Sequence, residues 1–215
     1  MTSDPHRDQP VLTSGHKLPG ASGAVILVHG RGASAEDILT LGQEFDHAEL
    51  AYLAPQAAGH SWYPYSFLAP IAQNEPWLTS ALNKLGEIVE DISHAGIARD
   101  KIVFAGFSQG ACLASEFVAR NAMRYGGLLA FSGGLIGPPG TEFHYSGKLG
   151  GTPAFFGGVD PDPHVPWQRV QESASALSAL GAEVRLRRYP EMPHAINQEE
   201  LGEARRLIIS AFGPV

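Results

Sequence analysis

The sequence predicts an α/β fold, a mostly parallel sheet with helices on both faces. Three observations predict it. Short apolar runs rich in β-branched residues recur along the chain, as strands covered on both sides require. Stretches whose apolar residues follow helical spacing separate those runs. Glycine-containing turns fall where one type gives way to the other, in a chain with 25 glycines among 215 residues. Strands joined through helices in this way build a parallel sheet, whose reactive groups gather beyond the carboxyl ends of the strands.

Residues 1–8 are polar and offer nothing to bury, so they are read as a disordered tail preceding a single domain over 9–215. Val11 and Leu12 suit a short edge strand. Ala24 to Val28 is the first clear buried strand, ending in the turn His29-Gly30-Arg31-Gly32. Ser34 then caps a helix through Ala35-Glu36-Asp37. Leu50 to Ala54 is a second strand, stopped by Pro55, and an aromatic loop over 60–74 follows. From Pro76 to about His94 the positions Leu78, Leu82, Leu85, Ile88 and Ile92 mark one helix face, closed by Gly96.

Lys101 to Ala105 is the next strand, and a helix from Ser108 to about Met123 follows it. Leu128 to Phe131 and Pro153 to Gly157 are strands on either side of a Gly/Pro-rich loop over 132–152. Residues 166–180 read as helix, Val184 to Tyr189 as strand and 195–212 as the last helix. No repeat or insertion long enough for a lid domain interrupts the pattern.

Composition narrows the function. The net charge of −7 is spread without a basic stripe, which argues against a nucleic-acid partner. No apolar run reaches the roughly 20 residues of a membrane helix, so integral membrane association is not expected. The first ten residues lack the apolar segment of a secretory signal, and Cys112 is the only cysteine, which rules out a disulfide within the chain. Both point to the cytoplasm. No metal-ligand pattern is present and no cofactor is expected.

The chemistry centres on Gly106-Phe107-Ser108-Gln109-Gly110. A serine hydroxyl is a weak nucleophile and needs both a base and a backbone that holds it clear of its surroundings. Gly-x-Ser-x-Gly provides the second on a sharp strand-to-helix turn, and this motif stands between a predicted strand and a predicted helix. Ser108 is therefore the candidate nucleophile. The base follows the acid in chain order, which points to His194, after the last strand. For the acid, Asp160 and Asp162 compete in the segment Gly158 to Pro166, and spacing favours Asp162 only slightly. The oxyanion of acyl transfer needs N–H donors, for which the amides of Gln109 and Arg31 are candidates. His29, inside the first turn, is read as a packing or hydrogen-bonding residue, and Cys112, one helical turn beyond Ser108, as a small buried one.

These segments together resemble the phospholipase/carboxylesterase family of α/β-hydrolases, which includes the acyl-protein thioesterases. The resemblance rests on Val28-His29-Gly30, on Ile102 to Ala111, on Asp162-Pro163-His164-Val165-Pro166 and on Met192-Pro193-His194, in family order across nearly the whole chain. It implies an α/β-hydrolase fold, a Ser108–His194–Asp162 triad and hence Asp162 as the acid. Arg31 and Pro193 depart from the thioesterase branch, while the aromatic segment Ser61 to Pro70 and Asn74-Glu75-Pro76 look more like a bacterial branch of small esterases. The implied activity is a serine carboxylesterase acting on short- to medium-chain esters, with thioesters a related possibility. The substrate is a small molecule, and Trp62, Tyr63, Tyr65, Phe67, Leu135, Ile136, His164 and Trp167, in loops at the carboxyl end of the sheet, are candidates to line its pocket. A peptidase or amidase of the same fold, and a silent ligand-binding protein, are the alternatives. An apolar patch near the aromatic loop would suit a homodimer.

Overall fold

A computed structural model describes residues 4–214. Seven strands, β1 (Val11–Gly15), β2 (Gly23–Val28), β3 (Leu50–Pro55), β4 (Ile102–Phe107), β5 (Gly127–Phe131), β6 (Pro153–Asp160) and β7 (Glu183–Pro190), form one sheet. Its order is β1-β3-β2-β4-β5-β6-β7. Only β1 runs antiparallel, against β3, and every other pairing is parallel. The helices are α1 (Ala35–Glu44), α2 (Trp77–His94), α3 (Gln109–Arg120), α4 (Trp167–Ala179) and α5 (Gln198–Phe212).

The central strands are apolar at every position because both of their faces are covered. Side chains alternate between the faces with period two. Ile26, Phe104, Leu128 and Phe156 meet Leu85, Phe117, Val118 and Val170 on the side of α2, α3 and α4. Their neighbours Leu27, Val103, Leu129 and Phe155 meet Ile38, Leu41, Leu207 and Ile208 on the side of α1 and α5. The two layers hold the sheet rigid, and the loops at the carboxyl ends of β2, β4, β6 and β7 converge on one edge of it.

Several boundaries differ from the sequence reading, among them β6, which runs three residues past Gly157 to Asp160 in register with β7. The helix after Ser108 stops at Arg120, because Asn121 leaves helical geometry and returns its side-chain amide to the Phe117 carbonyl at 2.9 Å. The last helix starts at Gln198, where Asn197 and Glu200 form a reciprocal capping box. The expected tail is also corrected from Asp4 onward. His6 is fully buried: its Nε2 hydrogen-bonds the Trp62 carbonyl at 2.9 Å and its Nδ1 accepts the Ala58 N–H at 3.1 Å. Its ring packs against Trp62 and Trp77. A histidine bonded at both nitrogens and packed tilted and edge-on against two indoles, with its own backbone N–H on the Ser80 Oγ at 2.9 Å and the Arg7 carbonyl accepting from Lys84 at 3.0 Å, ties down a polar segment. Residues 1–3 lie outside the described residues.

Candidate active site

The turn after β4 is strained where the chemistry requires it. Ser108 has φ 54° and ψ −119°, a left-handed conformation costly for a residue with a Cβ. The flanking glycines make the turn possible. A Cβ on Gly106 would lie 2.5 Å from the Gly110 carbonyl oxygen, and one on Gly110 only 2.0 Å from that of Val28. The sheet and α3 thus touch through bare backbone. Ser108 occupies the N-cap position of α3 without capping it, so its Oγ is free for another partner.

That partner is His194, in the loop between β7 and α5, whose Nε2 is 2.9 Å from the Ser108 Oγ. The other ring nitrogen, Nδ1, is 2.7 Å from the Asp162 Oδ2. The carboxylate is buried, and its Oδ1 accepts the backbone N–H groups of His164 at 2.8 Å and Val165 at 3.0 Å. Two local amides fix the acid, the acid fixes the imidazole, and the imidazole reaches the serine. Phe107 and His164 flank the imidazole, with ring centroids 4.9 and 5.0 Å away. Asp160, the other aspartate of the segment, faces away and pairs with Arg188.

Beside Ser108 the amides of Arg31 and Gln109 donate to no backbone acceptor among the described residues. The turn carrying Arg31 is held by His29. This buried ring accepts the Ala57 N–H on Nε2 at 3.1 Å, which leaves Nδ1 protonated to donate to the Gly30 carbonyl at 2.8 Å. Burial lowers its pKa, keeping it neutral. The Trp62 indole N–H donates to the His29 carbonyl at 2.8 Å.

A cavity of about 530 Å³ opens in front of Ser108, between Arg31, Tyr63, Tyr65, Phe67, Phe107, Cys112, His164, Val165 and His194. Its roof is the aromatic loop, and that loop is pinned from below. The Arg31 guanidinium donates to the Ser61 Oγ, the Pro64 carbonyl, the Tyr63 carbonyl and the Tyr65 carbonyl, all within 2.7–3.0 Å. The Gln109 side chain accepts the Trp62 N–H at 3.0 Å and donates to the Tyr63 carbonyl at 2.9 Å. Buried Asn74 holds the Tyr65 N–H and the Ser66 carbonyl. At the deep end lie Tyr63 and Cys112, both buried. Burial pushes the Cys112 thiol up to about 12, so it is an inert wall and no nucleophile.

Of the residues expected to line the pocket, Tyr63, Tyr65, Phe67 and His164 do. Trp62 does not: it is fully buried beneath the loop, spent on the His29 carbonyl and the His6 ring. Leu135 and Ile136 are also buried away from the cavity. Their loop is drawn inward because the Ile136 N–H donates to buried Glu116 and the Leu135 carbonyl accepts from buried Arg169. Trp167 packs half-buried over Gly158 instead. The sequence reading missed Phe107, Val165 and the bracing roles of the Arg31 and Gln109 side chains. Phe107 and Val165 were open to inference, since each adjoins or lies within a motif already singled out.

Residues 15–210 match the model of the phospholipase/carboxylesterase family. A crystal structure of a phospholipase/carboxylesterase from Dyadobacter fermentans is 46% identical, covers 94% of this chain and 97% of that one, and superposes with a TM-score of 0.90. The carboxylesterase of Bacillus cereus, at 19% identity over 96% of each chain, shares the fold with a TM-score of 0.76. An acyl-protein thioesterase 1 from Debaryomyces hansenii is 32% identical over 56% of this chain, and the match spans about half of that relative, 53%. No helix among the described residues is long and apolar enough to cross a membrane.

Proposed function

We propose that this chain, which belongs to the phospholipase/carboxylesterase family, hydrolyses short- to medium-chain carboxylic esters through an acyl-enzyme on Ser108. The observation that carries the reading is the unbroken hydrogen-bond chain from the Ser108 Oγ through His194 to Asp162, facing a cavity beside two free backbone N–H groups.

In the proposed cycle His194 takes the hydroxyl proton as the Ser108 Oγ attacks the ester carbonyl carbon. Asp162 stays ionised and stabilises the imidazolium. The amides of Arg31 and Gln109 receive the oxyanion, a contribution worth about 10²–10³ in rate per donor in related chemistry. The ester C–O bond then breaks, and the His194 proton passes to the departing alkoxide oxygen. Water attacks the acyl-enzyme, giving its proton to His194, and the acid leaves as the Ser108 Oγ is reprotonated. The closed end of the cavity at Tyr63 and Cys112, under a braced roof, favours short over long acyl groups. The lone, buried cysteine suits a cytoplasmic place of action.

The test is a comparison of steady-state rates on ester, thioester and amide substrates with one common acyl group, then on acyl chains of increasing length. Fastest cleavage of oxygen esters with a falling response beyond medium chains is expected. Faster amide cleavage would overturn the esterase assignment in favour of a peptidase or amidase.

A further inference from the structure

His194 lines two cavities. One is the cavity in front of Ser108 described above. The second, of about 460 Å³, adjoins the first along His194 and lies between α1 and the start of α5. Ile38, Leu41, Phe107, Ile196 and Leu201 give it an apolar wall, and Thr40 stands exposed at its rim. The two cavities share Gly30, Ala33, Phe107 and His194. Nothing in the acyl-transfer cycle uses the second one.

We infer that this second cavity seats the alcohol half of the substrate, and that this half is a neutral, apolar group of aryl or branched-alkyl size. The inference rests on the esterase reading above and extends it to the leaving group.

The side follows from the chemistry. Arg31 and Gln109, whose amides face the oxyanion, line the first cavity together with Cys112, one turn deeper on α3. The acyl chain therefore occupies that cavity. His194 must protonate the alkoxide oxygen, so the alcohol leaves across the imidazole, and the wall met there is Phe107, Ile196 and Ile38.

The neutrality follows from the charged groups around the cavity. Asp37 faces it, but its Oδ2 accepts the Ser34 N–H at 2.9 Å and the Ser34 hydroxyl at 2.8 Å. Glu44 is paired with Arg205 at 2.9 Å. His29, behind Gly30, is buried and spent at both ring nitrogens. The remaining rim groups, Thr40 and Gln43, are uncharged. A cationic alcohol would meet one uncompensated carboxylate, that of Asp37, exposed and already accepting two bonds, which does not offset the desolvation of a cation against the apolar wall, and an anionic one would face two carboxylates. Burying an aryl or branched-alkyl group against this wall removes apolar surface from water, which favours it over methyl.

The test uses methyl, isobutyl and benzyl esters of one short acid, so that all three give the same acyl-enzyme and differ only in acylation. For the parent protein, kcat/KM should rise from methyl to benzyl. Thr40→Trp, at the exposed rim, and Ile38→Phe, in the wall, should each lower the benzyl-to-methyl ratio about tenfold, the scale of a lost apolar pocket contact. Both should move the butanoate-to-acetate ratio of methyl esters less than twofold. A benzyl-to-methyl ratio near one in the parent, or a shift in acyl preference in place of alcohol preference, would overturn the inference while leaving the esterase reading intact. A change of sedimentation in Thr40→Trp with an unmoved alcohol ratio would overturn it in favour of self-association at this face. Absence of turnover on every ester would overturn both.

Discussion

The two sides of the reacting serine are held by different physics. On one side, the Ser108 turn and the Asp162 loop are built from contacts a few residues apart: Gly106 against Gly110, and the Asp162 carboxylate on the amides of His164 and Val165. On the other, the aromatic loop is roofed over the cavity by side chains distant in sequence. Arg31 reaches carbonyls 32 to 34 residues away, and Gln109 reaches back 46 and 47. The first side sets the reacting atoms to within a few tenths of an ångström, as nucleophile and base require. The second shapes the space that the substrate occupies. Damage to the first should therefore abolish turnover, while damage to the second should change which ester is turned over.

The largest effect is expected at the acid. Asp162→Asn should cut kcat by about 10⁴, as loss of the imidazole's orienting carboxylate does elsewhere. Asp160→Asn should cost no more than severalfold, since its partner is Arg188. Parallel kinetics on the two variants decide between them, and the reverse ranking would reassign the acid.

Next comes the contact under the turn. Gly110→Ala pushes a methyl group into the Val28 carbonyl, and no side-chain rotation relieves it. Chemical denaturation should show a loss of more than about 3 kcal/mol, or no folded protein at all. A variant of near-parental stability would mean that α3 can shift away from the sheet.

Glu200, in the capping box that begins α5 just after His194, sharpens the local side through pH. Its buried carboxyl is pushed up from 4.5 to about 7, mainly by desolvation, with one oxygen unpartnered. The unfolded chain releases this proton near 4.5 while the folded state keeps it to about 7. The penalty is thus absent below the lower value, grows as pH rises between the two and is complete above the upper one. Glu200→Gln should stabilise the protein by at most about 3 kcal/mol at alkaline pH and by almost nothing near pH ~4. Denaturation midpoints at the two pH values check it, and an equal gain at both would remove ionisation as the cause.

The smallest expected effect is on the long-range side. Arg31→Met keeps the backbone N–H offered to the oxyanion and removes the four guanidinium bonds to the aromatic loop. A fall in kcat/KM of about tenfold, borne chiefly by KM and by acyl-chain preference, is expected, with Arg31→Lys intermediate because an ammonium lacks the planar fork. A pure kcat loss would mean that Arg31 acts on the reacting atoms directly.

This division also explains what could be read from the sequence. The strands were legible because a buried parallel strand is written as an uninterrupted apolar run, and the Ser108 turn because its glycines are adjacent to it. His194 was legible from chain order. Spacing favoured Asp162 over Asp160 only slightly and the family resemblance decided it, because two aspartates two residues apart differ in which amides they meet, and spacing carries no record of that. The pocket was the least legible part. Trp62, Leu135 and Ile136 have the composition of a pocket wall, but burial sent them into the core. Which aromatic of Trp62, Tyr63 and Tyr65 faces the cavity depends on Arg31 and Gln109, and no local pattern announces hydrogen bonds of that span. His6 shows the same limit: a polar segment gives no sign that two indoles and a carbonyl await its one imidazole.

The central claim is that Ser108, activated through His194, is the atom that takes the acyl group. Reaction of the folded protein with a fluorophosphonate, followed by intact-mass and peptide-mass measurement, tests it most directly. One adduct per chain on the peptide carrying Ser108, slowed by orders of magnitude in His194→Ala and absent in Ser108→Ala, is the predicted result. An unmodified Ser108 in correctly folded protein, or an adduct on another residue, would contradict the account.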